Sequence, residues 1–236
     1  MKPSGRGSEL SPERRAALRA LMQGGKEATS GSIPRRTGHG PTPASFAQER
    51  LWFLDQWEPN SAVYNLASAF RLSGGLDVTA LQQALNEIVR RHEVLRTTFA
   101  AQDGQPYQVI APQLTVELPV VDLQGLPAAQ REIEARRLAR EEIVRPFDLA
   151  RGPLFRALLL RLDTEEHLLT VGTHHIVSDG WSDGILFREL EALYEAYHNG
   201  QSSPLAELPI QYADFAEWQR EWLRGKGLER QLSYWR

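Results

Sequence analysis

The 236-residue sequence contains no cysteine. That excludes disulfides and thiolate-ligated metals, and it suits a reducing compartment. No apolar run approaches the roughly 20 residues of a membrane-spanning helix. The N-terminal stretch MKPSGRGSELSPERR lacks the apolar centre of a signal peptide. A formal net charge of -3 gives none of the strong basic field of a nucleic-acid binder. There is no H-E-x-x-H zinc motif and no G-x-S-x-G nucleophile elbow. These absences predict a cytoplasmic chain with no membrane, nucleic-acid or metal partner. What remains is an ordinary globular composition, 42% hydrophobic and 24% charged, long enough for a substantial core.

Residues 1–40 differ from the rest. Ser11, Pro12 and Glu13 suit a helix start, Leu18, Leu21 and Met22 form one apolar stripe, and Gly24–Gly25 end it. A Gly/Ser/Thr/Pro-rich stretch without periodicity follows, which reads as a flexible linker. The globular part, residues 41–236, opens with SFAQERLWFLDQW at mainly helical spacing. In YNLASAFRL, Tyr64, Leu66, Phe70 and Leu72 alternate as on a strand. Asp77 suits the cap of a helix that buries Leu81, Leu85 and Ile88. LRTTFA and PYQVIA flank QDGQ as a hairpin. TVELPVVDL reads as a short strand and 128–145 as a charged helix. LFRALLLRL and HLLTVGTHHIV flank DTEE as two buried strands. Amphipathic helices follow from Gly180 and over 212–223. The mixture, with antiparallel pairs, predicts an α+β fold.

The segment THHIVSDGWSDG follows the second buried strand. Adjacent side chains on a strand face opposite ways, so His174 and His175 diverge: one enters a cleft while the other packs. The same divergence argues against a shared metal. An imidazole is well suited to accept a proton near neutral pH. A lone histidine is more often structural, and an Asp-Gly pair is usually a turn. The combination H-H-x-x-x-D-G, between a buried strand and an amphipathic helix, points to direct transfer of an activated acyl group to an amine or hydroxyl.

HHIVSDGWS resembles the signature of the condensation domains of non-ribosomal peptide synthetases. SFAQERLWFLDQ, RHEVLRTTF and YADFAEWQ resemble three further motifs in the same order, over about residues 43–236. The spelling is most similar to the subtype joining two L-residues. The resemblance implies a chloramphenicol acetyltransferase-like lobe with a mixed, mostly antiparallel sheet. It implies two such lobes around a tunnel, of which this sequence holds the N-terminal one, the C-terminal lobe being absent. It implies donor and acceptor peptidyl carrier domains bearing 4'-phosphopantetheine, with no cofactor bound by the lobe itself. Adjacent synthetase domains or an upstream synthetase protein are the other implied partners, with residues 1–40 as a candidate docking segment.

Carried over by motif, His175 is catalytic, as base or positioner of the amine, and Gly180 leaves room for the thioester arm. His174 is structural. Asp179 is expected to pair with Arg91, or else with Arg96. Trp181, Ser182, Gln48 and Arg50 are candidate tunnel residues, while Trp52, Phe53, Tyr212, Phe215 and Trp218 are expected in the core. The lobe alone is expected to be inactive. Two other readings stand beside this one: a free-standing acyltransferase using coenzyme A, and a non-catalytic carrier-docking module.

Overall fold

A computed structural model describes residues 32–38 and 40–235. The anticipated N-terminal helix and most of the linker lie outside the described residues. The compact unit begins at Arg35. Its elements are β1 (Thr42–Pro43), α1 (Phe46–Trp57), β2 (Asn65–Ser73), α2 (Val78–Arg91), a 3-10 turn (Glu93–Arg96), β3 (Thr97–Gln102), β4 (Gln105–Ile110), β5 (Val120–Asp122), α3 (Ala128–Val144), β6 (Phe155–Asp163), β7 (Glu166–His174), α4 (Gly180–His198), α5 (Tyr212–Trp222) and α6 (Lys226–Trp235). Arg36 already belongs to the body, paired with Asp214 at 3.1 Å and Glu93 at 2.5 Å.

Four strands form the main sheet in the order β2-β7-β6-β5, and β1-β4-β3 form a smaller one. β6 carries apolar side chains to both faces, which explains its nearly continuous apolar run. Phe155, Ala157 and Leu159 join the larger core with Leu81, Leu85 and Ile88 of α2 and Leu190 and Leu193 of α4. Leu160 and Leu162 face the other way, into a smaller cluster with Ala135 of α3. The sheet is thus covered by helices on both faces. β6 and β7 pair antiparallel through the Thr164–Glu165 turn. β5 joins β6 in parallel, the exception among otherwise antiparallel pairs of the described residues. In the β3–β4 hairpin, Asp103 (φ 52°) and Gly104 (φ 75°) both adopt the left-handed conformation. An Asp-Gly turn between twisted strands favours that geometry.

The helix caps follow the sequence. Ser45 and Gln48 form a complete capping box on α1, and the Asp77 side chain accepts the Ala80 N–H at the start of α2. α1 differs from expectation in its packing: Phe53 is 57% exposed and Trp57 78%, while Leu51 and the polar Gln48 are buried. Trp52 and Phe215 are partly buried, as is Trp218. Tyr212 is 36% exposed. α6 has no counterpart among the expected elements.

Candidate active site

β7 delivers the two histidines. Its register pairs His174 with Asn65 of β2, and the His175 N–H extends the ladder to the Tyr64 carbonyl at 2.8 Å. The strand ends there, because the Val177 N–H turns back to the His174 carbonyl at 3.0 Å. The pair diverges as alternation requires. His174 is 2% exposed, between the rings of Tyr64 and Phe147. Its Nδ1 accepts the Ile176 N–H at 3.1 Å. Burial, reinforced by the neighbouring His175, pushes its pKa down to about 4, so the ring is neutral at physiological pH.

His175 is exposed. Its Nδ1 lies 2.7 Å from the Ser178 carbonyl. A carbonyl only accepts, so in the neutral ring Nδ1 carries the hydrogen. The Nε2 lone pair is left free to receive a proton. This is the arrangement in which one ring nitrogen is tied and the other works.

Asp179 caps α4. Its Oδ1 accepts the Ser182 N–H at 2.8 Å and the Ser182 hydroxyl at 2.6 Å. These bonds hold the carboxyl below its ordinary range. The expected guanidinium partner is not there. Arg91, 4% exposed at the end of α2, instead donates to Glu189 of α4 through two nitrogens at 3.3 Å, and to the Ala206 carbonyl at 2.8 Å. Glu189 lies about 15 Å along the helix from Asp179, at ~1.5 Å of rise per residue. Arg96 donates to the Ala111 carbonyl and stands 3.5 Å from Glu93. Asp179 is satisfied locally by Ser182, and among the described residues no arginine bonds to it.

Gly180 opens α4, and a side chain there would meet nothing within 4 Å. Neither backbone conformation nor packing within these residues demands a glycine. Trp181 is 83% exposed, and Arg50 is exposed. Gln48, expected to line a channel, is 1% exposed beneath the histidine loop, because the capping box turns it inward. Ser182 serves the cap and also lines a small apolar cavity of about 100 Å³ with Val94, Leu95, Val177, Ile185 and Leu186.

Sequence patterns alone miss two residues here. His92 borders that cavity and places Nε2 2.7 Å from Glu189. Burial works to raise the pKa of Glu189, but the bonds from Arg91 and His92 outweigh it and the carboxyl is lowered. Asking which carboxylate on α4 could meet the arginines of RHEVLRTTF would have found the cluster. Among the described residues no group of His, Asp or Glu is arranged to hold a metal ion, and no helix is long and apolar enough to cross a membrane.

A family profile described as "Condensation domain" matches residues 39–236. A linear gramicidin synthase protein of Brevibacillus parabrevis is 49% identical over 224 residues, covering 95% of this chain and 3% of that protein. Phosphinothricin tripeptide synthetase PhsC of Streptomyces viridochromogenes is 49% identical over 232 residues, 96% of this chain and 21% of its own. The chain therefore spans only a small part of these relatives. Among solved structures, the starter condensation domain of rhizomide synthetase RzmA superposes with a TM-score of 0.75 at 23% identity, over 83% of this chain and 47% of that one. This shows the same fold. The X-domain from teicoplanin biosynthesis gives 0.76 at 32% identity, over 87% and 44%.

Proposed function

Because the chain belongs to the condensation domain family, we propose that it is the N-terminal lobe of a domain that forms peptide bonds in a non-ribosomal peptide synthetase. The donor is an acyl or peptidyl thioester and the acceptor a carrier-bound amine, each on the phosphopantetheine arm of a peptidyl carrier domain. The observation that carries the reading is the exposed His175 ring with Nδ1 tied to Ser178.

The acceptor nitrogen attacks the thioester carbonyl carbon. A C–N bond forms and the C–S bond breaks. Nε2 of His175 receives the proton from the attacking nitrogen and passes it to the departing sulfur, so the ring ends as it began. Orienting the amine and moving its proton are two aspects of the same hydrogen bond. His174 stays neutral and holds the loop. Asp179 fixes the start of α4, and Gly180 leaves an open approach for the thioester arm. The spelling of the motifs supports the subtype joining L-residues. A second lobe completes the tunnel in this reading, and residues 1–40 fit a docking segment for an upstream synthetase protein. A cytoplasmic setting is consistent with the absence of cysteine.

The test presents one donor in two forms, on a carrier domain and as a coenzyme A thioester, with an amine acceptor on a second carrier. The complete domain containing this lobe is expected to use the carrier-bound donor much faster, and this chain alone to give no product. Preference for the coenzyme A thioester would instead support a free-standing acyltransferase. No transfer from either form by the complete domain would support a docking module.

A further inference from the structure

The loop that bears His175 is held from below by a residue 128 positions earlier. Gln48 is 1% exposed in the first turn of α1. The Ser45 N–H points at it from 2.9 Å. That donor requires Oε1 on its side and so turns Nε2 the other way. Nε2 then reaches the Ile176 carbonyl at 3.3 Å and Gln108 Oε1 at 3.4 Å. Gln108 in turn donates to the Pro43 carbonyl at 3.0 Å. These buried amides join α1, β1 and β4 to the loop.

Ile176 follows His175 directly, and it is held on both sides. Its N–H is bound by His174 Nδ1 and its carbonyl by Gln48. His175 itself is tied at its N–H to Tyr64. The exposed ring therefore projects from a backbone fixed before and after it. Apart from this strap, α1 is also tied to α5. Ser45 Oγ lies 3.0 Å from the Tyr212 hydroxyl, the Phe46 N–H donates to Gln219 at 3.1 Å, and Arg220 donates to the Ala44 carbonyl at 2.8 Å.

We infer that Gln48 is a positioning residue for His175, acting through the Ile176 carbonyl. The inference rests on the reading of His175 as the working imidazole. Gln48 touches no substrate. Its amide sets where the Ser178 carbonyl stands relative to the ring, and so which nitrogen of His175 is free. Burying an unpaired carbonyl is costly, so losing the donor forces the loop to move rather than tolerate the gap.

Three variants separate positioning from mere support of the fold. Gln48→Glu keeps the acceptor that caps α1 but turns an oxygen toward Ile176. Gln48→Met keeps the shape and removes all three side-chain bonds. Ser45→Ala weakens the same cap and leaves the Gln48 donor in place. The readouts are kcat and KM of the complete domain, and the His175 tautomer by nitrogen NMR of this chain. Both Gln48 variants should lose about 100-fold in kcat, the scale of a displacement near 1 Å, with KM little changed and the Nδ1–H tautomer no longer dominant. Ser45→Ala should lose stability yet keep kcat and tautomer. Gln48 variants with wild-type kcat and tautomer would overturn the inference. So would a loss of kcat in Ser45→Ala that tracks its stability. Full activity in His175→Ala, with the tautomer shift still present in the Gln48 variants, would refute the role of His175 and leave the strap standing.

Discussion

Two identical side chains one residue apart have opposite fates because a strand alternates. His174 is sealed and neutral, and His175 is exposed with one nitrogen committed. The depressed pKa of His174 has a consequence for stability. Between its ordinary value of 6.5 and about 4, the unfolded chain binds a proton that the folded chain refuses. The stability contributed by the neutral ring is complete above 6.5 and is lost as pH falls toward 4. The loss is about 3 kcal/mol, since a tenfold change in proton affinity corresponds to about 1.4 kcal/mol. His174→Asn, which keeps a side-chain acceptor for Ile176, should show a shallower fall in urea-unfolding free energy over that window. An unchanged slope would mean the ring titrates normally. The divergence of the rings was legible in the sequence. The tie from Nδ1 to Ser178 was not, because it depends on how the chain turns after the strand.

At the scale of elements, the caps explain what the residue types alone left ambiguous. Asp179 with Ser182 three residues later is a helix start, and that local role accounts for the carboxylate without any arginine. Asp179→Asn should therefore leave the melting of this chain nearly unchanged, because asparagine caps as well. Asp179→Ala should cost about 1 kcal/mol. Equal losses in both variants would indicate a charge partner instead. The same logic applies to SFAQ, whose Ser-x-x-Gln spacing is a capping box. Read that way, Gln48 belongs inside rather than in a channel. The β6–β7 hairpin, the β3–β4 hairpin and α2 were legible because their patterns are local. The parallel pairing of β5 was not, since three residues carry no sign of direction. α6 went unseen behind the glycines at 225 and 227, although Leu228, Leu232 and Trp235 share one side.

For the whole molecule, the apolar surface left uncovered is informative. Phe53, Trp57, Trp181, Tyr234 and Trp235 are each more than half exposed. The chain matches just under half of two solved structures, and in the proposed function these side chains face a second lobe. The packing on both faces of the main sheet shows why the lobe still has its own core. Placing the site required this tertiary frame: the histidine loop is bounded by β2, α1 and α4, elements far apart in the chain. The most direct measurement is single-turnover peptide-bond formation by the complete domain with both carriers loaded, comparing wild type with His175→Ala. The account predicts a loss of at least about 100-fold in the chemical step, the scale of general base catalysis, with carrier binding retained. Product formation by His175→Ala at the wild-type rate would contradict it.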